Sequence, residues 1–272
     1  MKFGPYKKLG THWWFELFDC PKDTEDIEKL LLAEMDRFES AYSRFLPDSL
    51  VSQLNKEREL INPPTEFLEL LNIGLGGYKN TKGVFNITVG GVLESHGYDS
   101  KYSFKKQETV IGLSNPMETI HIKEQDDFKT IHVTGDTRID FGGFGKGYLI
   151  DRLAVILKEK GVQYFLINGG GDMYATSDHE AAIEIILQNP QERDTAMGKL
   201  SIKNEAFAAS SPYIRQWTSN GSTHTHLVAH ADKSPGSVFV LAPTATDADM
   251  WATTIAIDPH LEVPHDITYK VL

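Results

Sequence analysis

The sequence predicts an α+β fold, with mixed or antiparallel sheets against packed helices, in a single domain over residues 1–272. Three observations carry this. Strand-like and helix-like segments come in mixed order without a regular β–α–β beat, which disfavours a doubly wound sheet. At 272 residues and 40% apolar, the chain is long enough to bury a full core, as one large domain or two small ones. No internal repeat, low-complexity tract or long linker divides it.

In chain order, "LGTHWWFELFD" reads as a strand, and Asp23 or Thr24 is placed to cap the helix that follows. In that helix Ile27, Leu31, Met35, Phe38 and Tyr42 recur at three- and four-residue steps, making one apolar stripe. "PTEFLELLNIGL" gives a second helix, with Pro64 at its start and glycines at its end. "VFNITV" is expected as a short strand closed by Gly90 and Gly91, and "KTIHVTGDTRIDF" as a hairpin turned by Gly135 and Asp136. Ile150, Leu153, Ala154 and Leu157 mark a helix that Gly161 ends. "YFLIN" is a buried strand leading into "GGGD", and "AAIEIILQ" is another. The last third alternates the strands "STHTHLVAH" and "SVFVLAP" with a helix from about Asp247 to Ile257.

A formal net charge of −11 argues against a nucleic-acid surface, which needs clustered Lys and Arg; a local basic site for a small anion stays open. No run approaches the roughly 18 apolar residues of a membrane span. "MKFGPYKKLGTHWWFELFDC" lacks the apolar stretch of a signal peptide, so the chain as written is expected in the cytoplasm; an exported chain trimmed of its leader would read the same. The one cysteine, Cys20, has no disulfide partner and is expected as a half-buried small residue.

The stretch "DFGGFGKGYLID", Asp140 to Asp151, sets four glycines and a lysine ahead of a helix. It is not a dinucleotide fingerprint, because from Gly142 the order is G-G-x-G-x-G. Nor is it a P-loop, because Gly147 follows Lys146 where a Ser or Thr is required. What survives is physical: glycines let the backbone approach a ligand, a helix N-terminus favours anions, and Lys146 adds a point charge. On those grounds alone a tight structural turn and an anion site stand about level.

"DFGGFGKGYLIDRLAVILKEKGVQYFLINGGGDMYA" resembles the signature of the FAD:protein FMN transferases, the ApbE family. There an Asp, a Gly-rich turn ending in K-G, a helix and an N-x-G-G-D stretch run in that order. Further family-like blocks follow in register: "LGTHW", "RFLPDSLVSQLN", "GVFNITVGG", "HLV" and "APTATDADMWATT". Together they span Leu9 to about Ile257.

The resemblance implies an enzyme that splits FAD at its pyrophosphate in the presence of Mg²⁺. The FMN half passes to a Thr or Ser hydroxyl of a partner flavoprotein, leaving AMP and a phosphoester-linked flavin. Asp249 and Thr253, four apart on the last expected helix, match the family's D-x-x-x-T metal ligands, and Gly143 matches a backbone-carbonyl ligand. Read without the family, Asp249 would favour the helix dipole and Thr246 would cap. Lys146 matches a contact to the FAD phosphates and Asp140 a contact to the flavin or ribose side. Leu9, Phe45, Val84, Phe85, Asn86 and Val228 match positions around the flavin; Phe45 stands where relatives often carry a stacking Tyr. Phe45 and Phe85 read equally as core. His226 matches the histidine expected to take the acceptor's proton, with His224 next in line.

The chain departs from the family pattern in three places. Ala252 stands where some relatives have a second acid, "AHADKSPG" replaces a D-P-x-T-G loop, and "ASS" at Ala209 to Ser211 replaces T-S-G. These keep two alternatives open: a degenerate relative that binds or hydrolyses FAD without transfer, and a zinc hydrolase using His224, His226 and His230.

Overall fold

In a computed structural model of the chain, residues 1–19, 24–125, 128–177, 181–192, 194–219, 221–229 and 236–272 are described. In chain order they form β1 (Lys2–Lys8), β2 (Thr11–Leu17), α1 (Thr24–Tyr42), α2 (Leu50–Glu57), β3 (Glu59–Ile61) and α3 (Thr65–Asn80). α4 (Gly90–Ser95), α5 (Pro116–Thr119), β4 (Ile120–Gln125), β5 (Phe128–Val133) and α6 (Gly145–Glu159) follow. Next come β6 (Phe165–Gly169), β7 (Asp172–Thr176), β8 (Ile183–Gln188), β9 (Ala196–Ile202) and β10 (Glu205–Ser210). The last are β11 (Gln216–Ser219), β12 (Ser222–Thr225), β13 (Val238–Ala242), α7 (Ala245–Ile257) and β14 (Thr268–Val271). The chain groups into two compact units, each drawn from separated stretches.

The first unit comprises Met1–Glu39, Phe144–Ile214 and Pro235–Leu272. Its frame is a seven-stranded sheet, order β1-β2-β6-β7-β10-β13-β14, with every neighbouring pair antiparallel. In β2 the alternation places Trp13, Phe15 and Leu17 in the core, and the mostly buried β6 pairs with it, Phe15 opposite Ile167. α7 packs on β10 and β13 and also against α6. The α1 stripe is buried as expected from Ile27 through Tyr42, each such side chain contributing about 1.5–3 kcal/mol. α6 ends where Gly161, at φ +82°, turns the chain in a conformation costly for a side chain. The proposed cap Asp23 and Cys20 lie outside the described residues.

At the start of α7 the cap differs from expectation. Thr244 accepts the Asp247 N–H at 3.1 Å, whereas Thr246 donates its hydroxyl to Asp151 at 2.6 Å. The same Asp151 carboxylate accepts the Ala245 and Thr246 amides at 2.8 and 2.9 Å, so α6 holds the first turn of α7 by a side chain.

The second unit comprises Ser40–Gly143 and Arg215–Ser234. It contains the antiparallel sheet β3-β5-β4, the hairpin β11–β12 and a core that includes Phe67, Leu70, Ile87, Ile131, Val133, Ile139 and Phe141.

Four further sequence expectations differ from the structure. The glycines expected to end the second helix, Gly74, Gly76 and Gly77, lie inside α3, which runs on to Asn80. "VFNITV" forms no strand beyond a single bridge from Val89 to Arg138. Asn86 folds it locally, its side chain accepting the Thr88 N–H at 2.9 Å and donating to Ser114 at 2.9 Å, an alternative to a ladder that Asn and Thr favour. Gly90 and Gly91 consequently open α4 instead of closing a strand. "KTIHV" is a strand, but its hairpin partner is the preceding β4, and the chain after Gly135 leaves the sheet. Among its described residues "STHTHLVAH" pairs as a strand only as far as Thr225, so strand alternation does not place His226.

Asn55 ties α2 to the chain that leads into the glycine turn. Its amide donates to Ile139 O at 2.8 Å and accepts from Ile139 N at 2.6 Å, both buried. Asn55→Ala strands two buried backbone groups, and a loss of about 2–4 kcal/mol in urea unfolding is expected. A loss under about 1 kcal/mol, the worth of one ordinary hydrogen bond, would contradict this accounting.

Candidate functional site: two buried acids and one lysine

Within the first unit, the glycine turn's K-G pair and the last helix meet. α6 starts at Gly145, so Lys146 and Gly147 lie in its first turn, where backbone N–H groups have no intrahelical partner. The Gly147 amide donates instead to Asp249 Oδ2 of α7 at 3.1 Å. A Cβ on Gly147 would run into the Ala245 carbonyl oxygen, so only glycine permits this approach of α6 to α7.

Lys146 completes the arrangement. Its Nζ lies 2.5 Å from Asp172 Oδ2 and 3.0 Å from each oxygen of Asp249. The carboxylates are 6% and 7% exposed and share this one ammonium, which is 18% exposed. Burial pushes Asp172 up to about 6, with Lys146 opposing the shift and the Asp249 charge adding to it. Two acids around one cation leave negative charge in excess, and the donors are hard oxygens. That set fits Mg²⁺, which prefers oxygen ligands. Thr253, one turn beyond Asp249 on α7, is half-buried, and Ala252 is packed away.

The expected flavin-side residues fall mostly in the second unit. Asp140 accepts Arg44 Nε at 2.6 Å and the Gly142 amide at 2.6 Å, while its own N–H donates to Ile87 O at 2.8 Å. Phe45 is half-buried, stacked on Tyr102 with ring centroids 5.1 Å apart at 7° and edge-on to Tyr98 at 5.5 Å. Phe85 and Asn86 are buried, and Val84, Gly143 and Val228 are half-buried. Leu9 belongs to the first unit, at φ 48°, its N–H donated to Glu39 Oε1 at 2.8 Å.

His226 follows β12, with Nδ1 3.3 Å from Arg215 O and 3.4 Å from Thr225 Oγ1. Donation from Nδ1 to Arg215 would leave Nε2 as the basic nitrogen. His224 sits in an aromatic stack, 4.5 Å from the His96 ring and 6.0 Å from Trp217. Burial, then the neighbouring His96, hold it below the ordinary histidine value. His230 lies outside the described residues. Among the described residues no three His, Cys, Asp or Glu side chains group as a metal site; the zinc alternative needs His230, which is not one of them.

Sequence reasoning assigned no role to Asp172, Asp151 or Arg44. Asp172 carried a signal as the acid of the quoted N-x-G-G-D stretch. Arg44 opens the family-like block "RFLPDSLVSQLN", but nothing local points to its partners Tyr98 and Asp140, 54 and 96 residues away.

Residues 9–264 match the family model described as "ApbE family". The chain is 24% identical over 266 residues to the FAD:protein FMN transferase of Buchnera aphidicola subsp. Schizaphis graminum (strain Sg), covering 92% of this chain and 78% of that protein. It is 22% identical over 269 residues to the one of Escherichia coli (strain K12), covering 92% and 76%. Among solved structures, the ApbE protein from Thermotoga maritima MSB8 superposes with a TM-score of 0.77 at 22% identity, over 92% of this chain and 84% of that one. The flavin transferase ApbE from Vibrio cholerae does so at 0.75 and 16%, over 100% and 96%. At these identities the structural likeness establishes a shared fold.

Proposed function

The chain belongs to the ApbE family, and from that premise we propose that it is a Mg²⁺-dependent FAD:protein FMN transferase acting on a Thr or Ser of a target flavoprotein. The observation that carries the proposal is the Lys146 ammonium held between buried Asp172 and Asp249, joining the glycine turn to the last helix.

In the proposed reaction the acceptor hydroxyl oxygen bonds to the phosphorus of the FMN half as the P–O bond to the AMP half breaks. The hydroxyl proton passes to a base, for which His226 Nε2 is the candidate, and AMP leaves. Phosphoryl transfer asks the protein mainly for positioning and charge neutralisation. Lys146 supplies positive charge for the phosphates. Because Asp172 also accepts from Nζ, the ammonium would keep a partner with Asp249 engaged by Mg²⁺. Asp249 and Thr253 would hold Mg²⁺, with Gly143 O the further ligand suggested by the family pattern. Bound there, Mg²⁺ would neutralise charge on the pyrophosphate oxygens. Asp140, Phe45, Leu9, Val84, Phe85, Asn86 and Val228 are proposed for the flavin side on the resemblance.

The test is direct. Protein, FAD, Mg²⁺ and an acceptor domain are expected to yield AMP and a fluorescent acceptor band carrying the FMN mass, and His226→Ala to lower the rate by about 10²-fold or more. AMP without an adduct would replace transfer by hydrolysis, and neither product would end the proposal. Undiminished transfer in His226→Ala would remove the histidine from its role.

A further inference from the structure

We infer that Arg44 is a positioning residue for the flavin end of the proposed site, its guanidinium edge fixing the Asp140 carboxylate and its face backing the Phe45 ring. The inference rests on Asp140 and Phe45 as flavin contacts and adds the residue that sets their geometry.

Arg44 lies two residues beyond α1, and its side chain is 1% exposed. A cation so deeply buried is tolerated only with partners. Nε donates to Asp140 Oδ2 at 2.6 Å and Nη2 to Tyr98 O at 2.9 Å. Nη1 is 3.7 Å from Glu94 Oε1, without a hydrogen-bond acceptor. Asp140 is therefore gripped on both oxygens, one by the guanidinium and one by the Gly142 amide. The same guanidinium carbon lies 4.2 Å from the centre of the Phe45 ring, and Tyr102 stacks on that ring as well. One side chain thus orients both a carboxylate and an aromatic wall. Lysine could carry the charge but neither the fork nor the plane.

A cavity of about 310 Å³, lined by Arg44, Ser52, Asn55, Lys56, Glu94 and Arg138, opens beside it. A small guanidinium compound therefore has a route to the space that Arg44→Ala would leave, which makes chemical rescue the decisive experiment. FAD binding by the whole protein is followed through quenching of flavin fluorescence. Arg44→Ala is expected to raise the Kd by about tenfold or more, the loss of a charge-assisted hydrogen bond, with Arg44→Lys in between. Ethylguanidinium is expected to restore binding to the alanine variant and leave the wild type unchanged. In transfer, KM for FAD should rise more than kcat falls. A folded Arg44→Ala protein with wild-type Kd, or a deficit that ethylguanidinium does not relieve and that follows the melting temperature, would overturn the inference alone. A wild-type protein that binds no FAD would overturn it together with the proposed function.

Discussion

Asp249→Ala is expected to lower FMN transfer by about 10³-fold while costing the fold no more than about 1–3 kcal/mol. The two halves of this expectation have one cause. Asp249 and Asp172 are both buried and share Lys146, so the protein already accommodates more negative charge than it neutralises. Removing one acid leaves Lys146 with Asp172 as a balanced pair, rather than leaving an orphaned charge whose cost would be about 3–5 kcal/mol. The remaining loss is the acceptor for the Gly147 N–H, about 1–3 kcal/mol at most, and Asn at position 249 keeps an oxygen for it. Urea unfolding and the transfer assay, run on Asp249→Ala and Asp249→Asn, separate the effects. Full transfer in both variants would remove Asp249 from the chemistry. Collapse of the fold in both would make it a structural residue.

Gly147→Ala is expected to be strongly destabilising. The added Cβ meets the backbone of Ala245 and Thr246, which cannot rotate away as a side chain would. α6 and α7 must separate, at about 3 kcal/mol or more, and the shift pulls Lys146 from Asp249. Transfer and stability should fall together. Gly76→Ala is the control: it sits in α3 with nothing within 4 Å of the new atom, and there alanine should be neutral or stabilise by about 0.5–1 kcal/mol. A Gly147→Ala protein as stable as this control would show that the helices do not need their close approach.

Elements whose burial sets the residue pattern were legible from the sequence, with one face buried in α1 and β2 and both faces in β6. The stripe on α1, the alternation in β2 and the apolar run of β6 all match the buried residues. Elements whose shape depends on distant partners were not. β1, in "KFGPYKK", exposes most of its residues and exists because β2 pairs with it. "VFNITV" has strand propensity, yet Asn86 and Thr88 bond locally and to Ser114 instead of to a neighbouring strand. The site divides in the same way. Asp249 and Lys146 were visible through the family pattern, but they are 103 residues apart and nothing local could show that they touch. The shared grip of Asp172 on Lys146, and of Arg44 on Asp140, appears only once the chain is folded.

The central claim is that the last helix and the glycine turn together hold a divalent cation against the FAD pyrophosphate. Anomalous diffraction from crystals grown with FAD and Mn²⁺, a cation with the same preference for oxygen, tests it most directly. The account predicts a peak within about 2.5 Å of an Asp249 carboxylate oxygen, with the pyrophosphate bound to that ion and to Lys146. Manganese bound elsewhere with FAD in place, or a pyrophosphate that contacts neither residue, would contradict it.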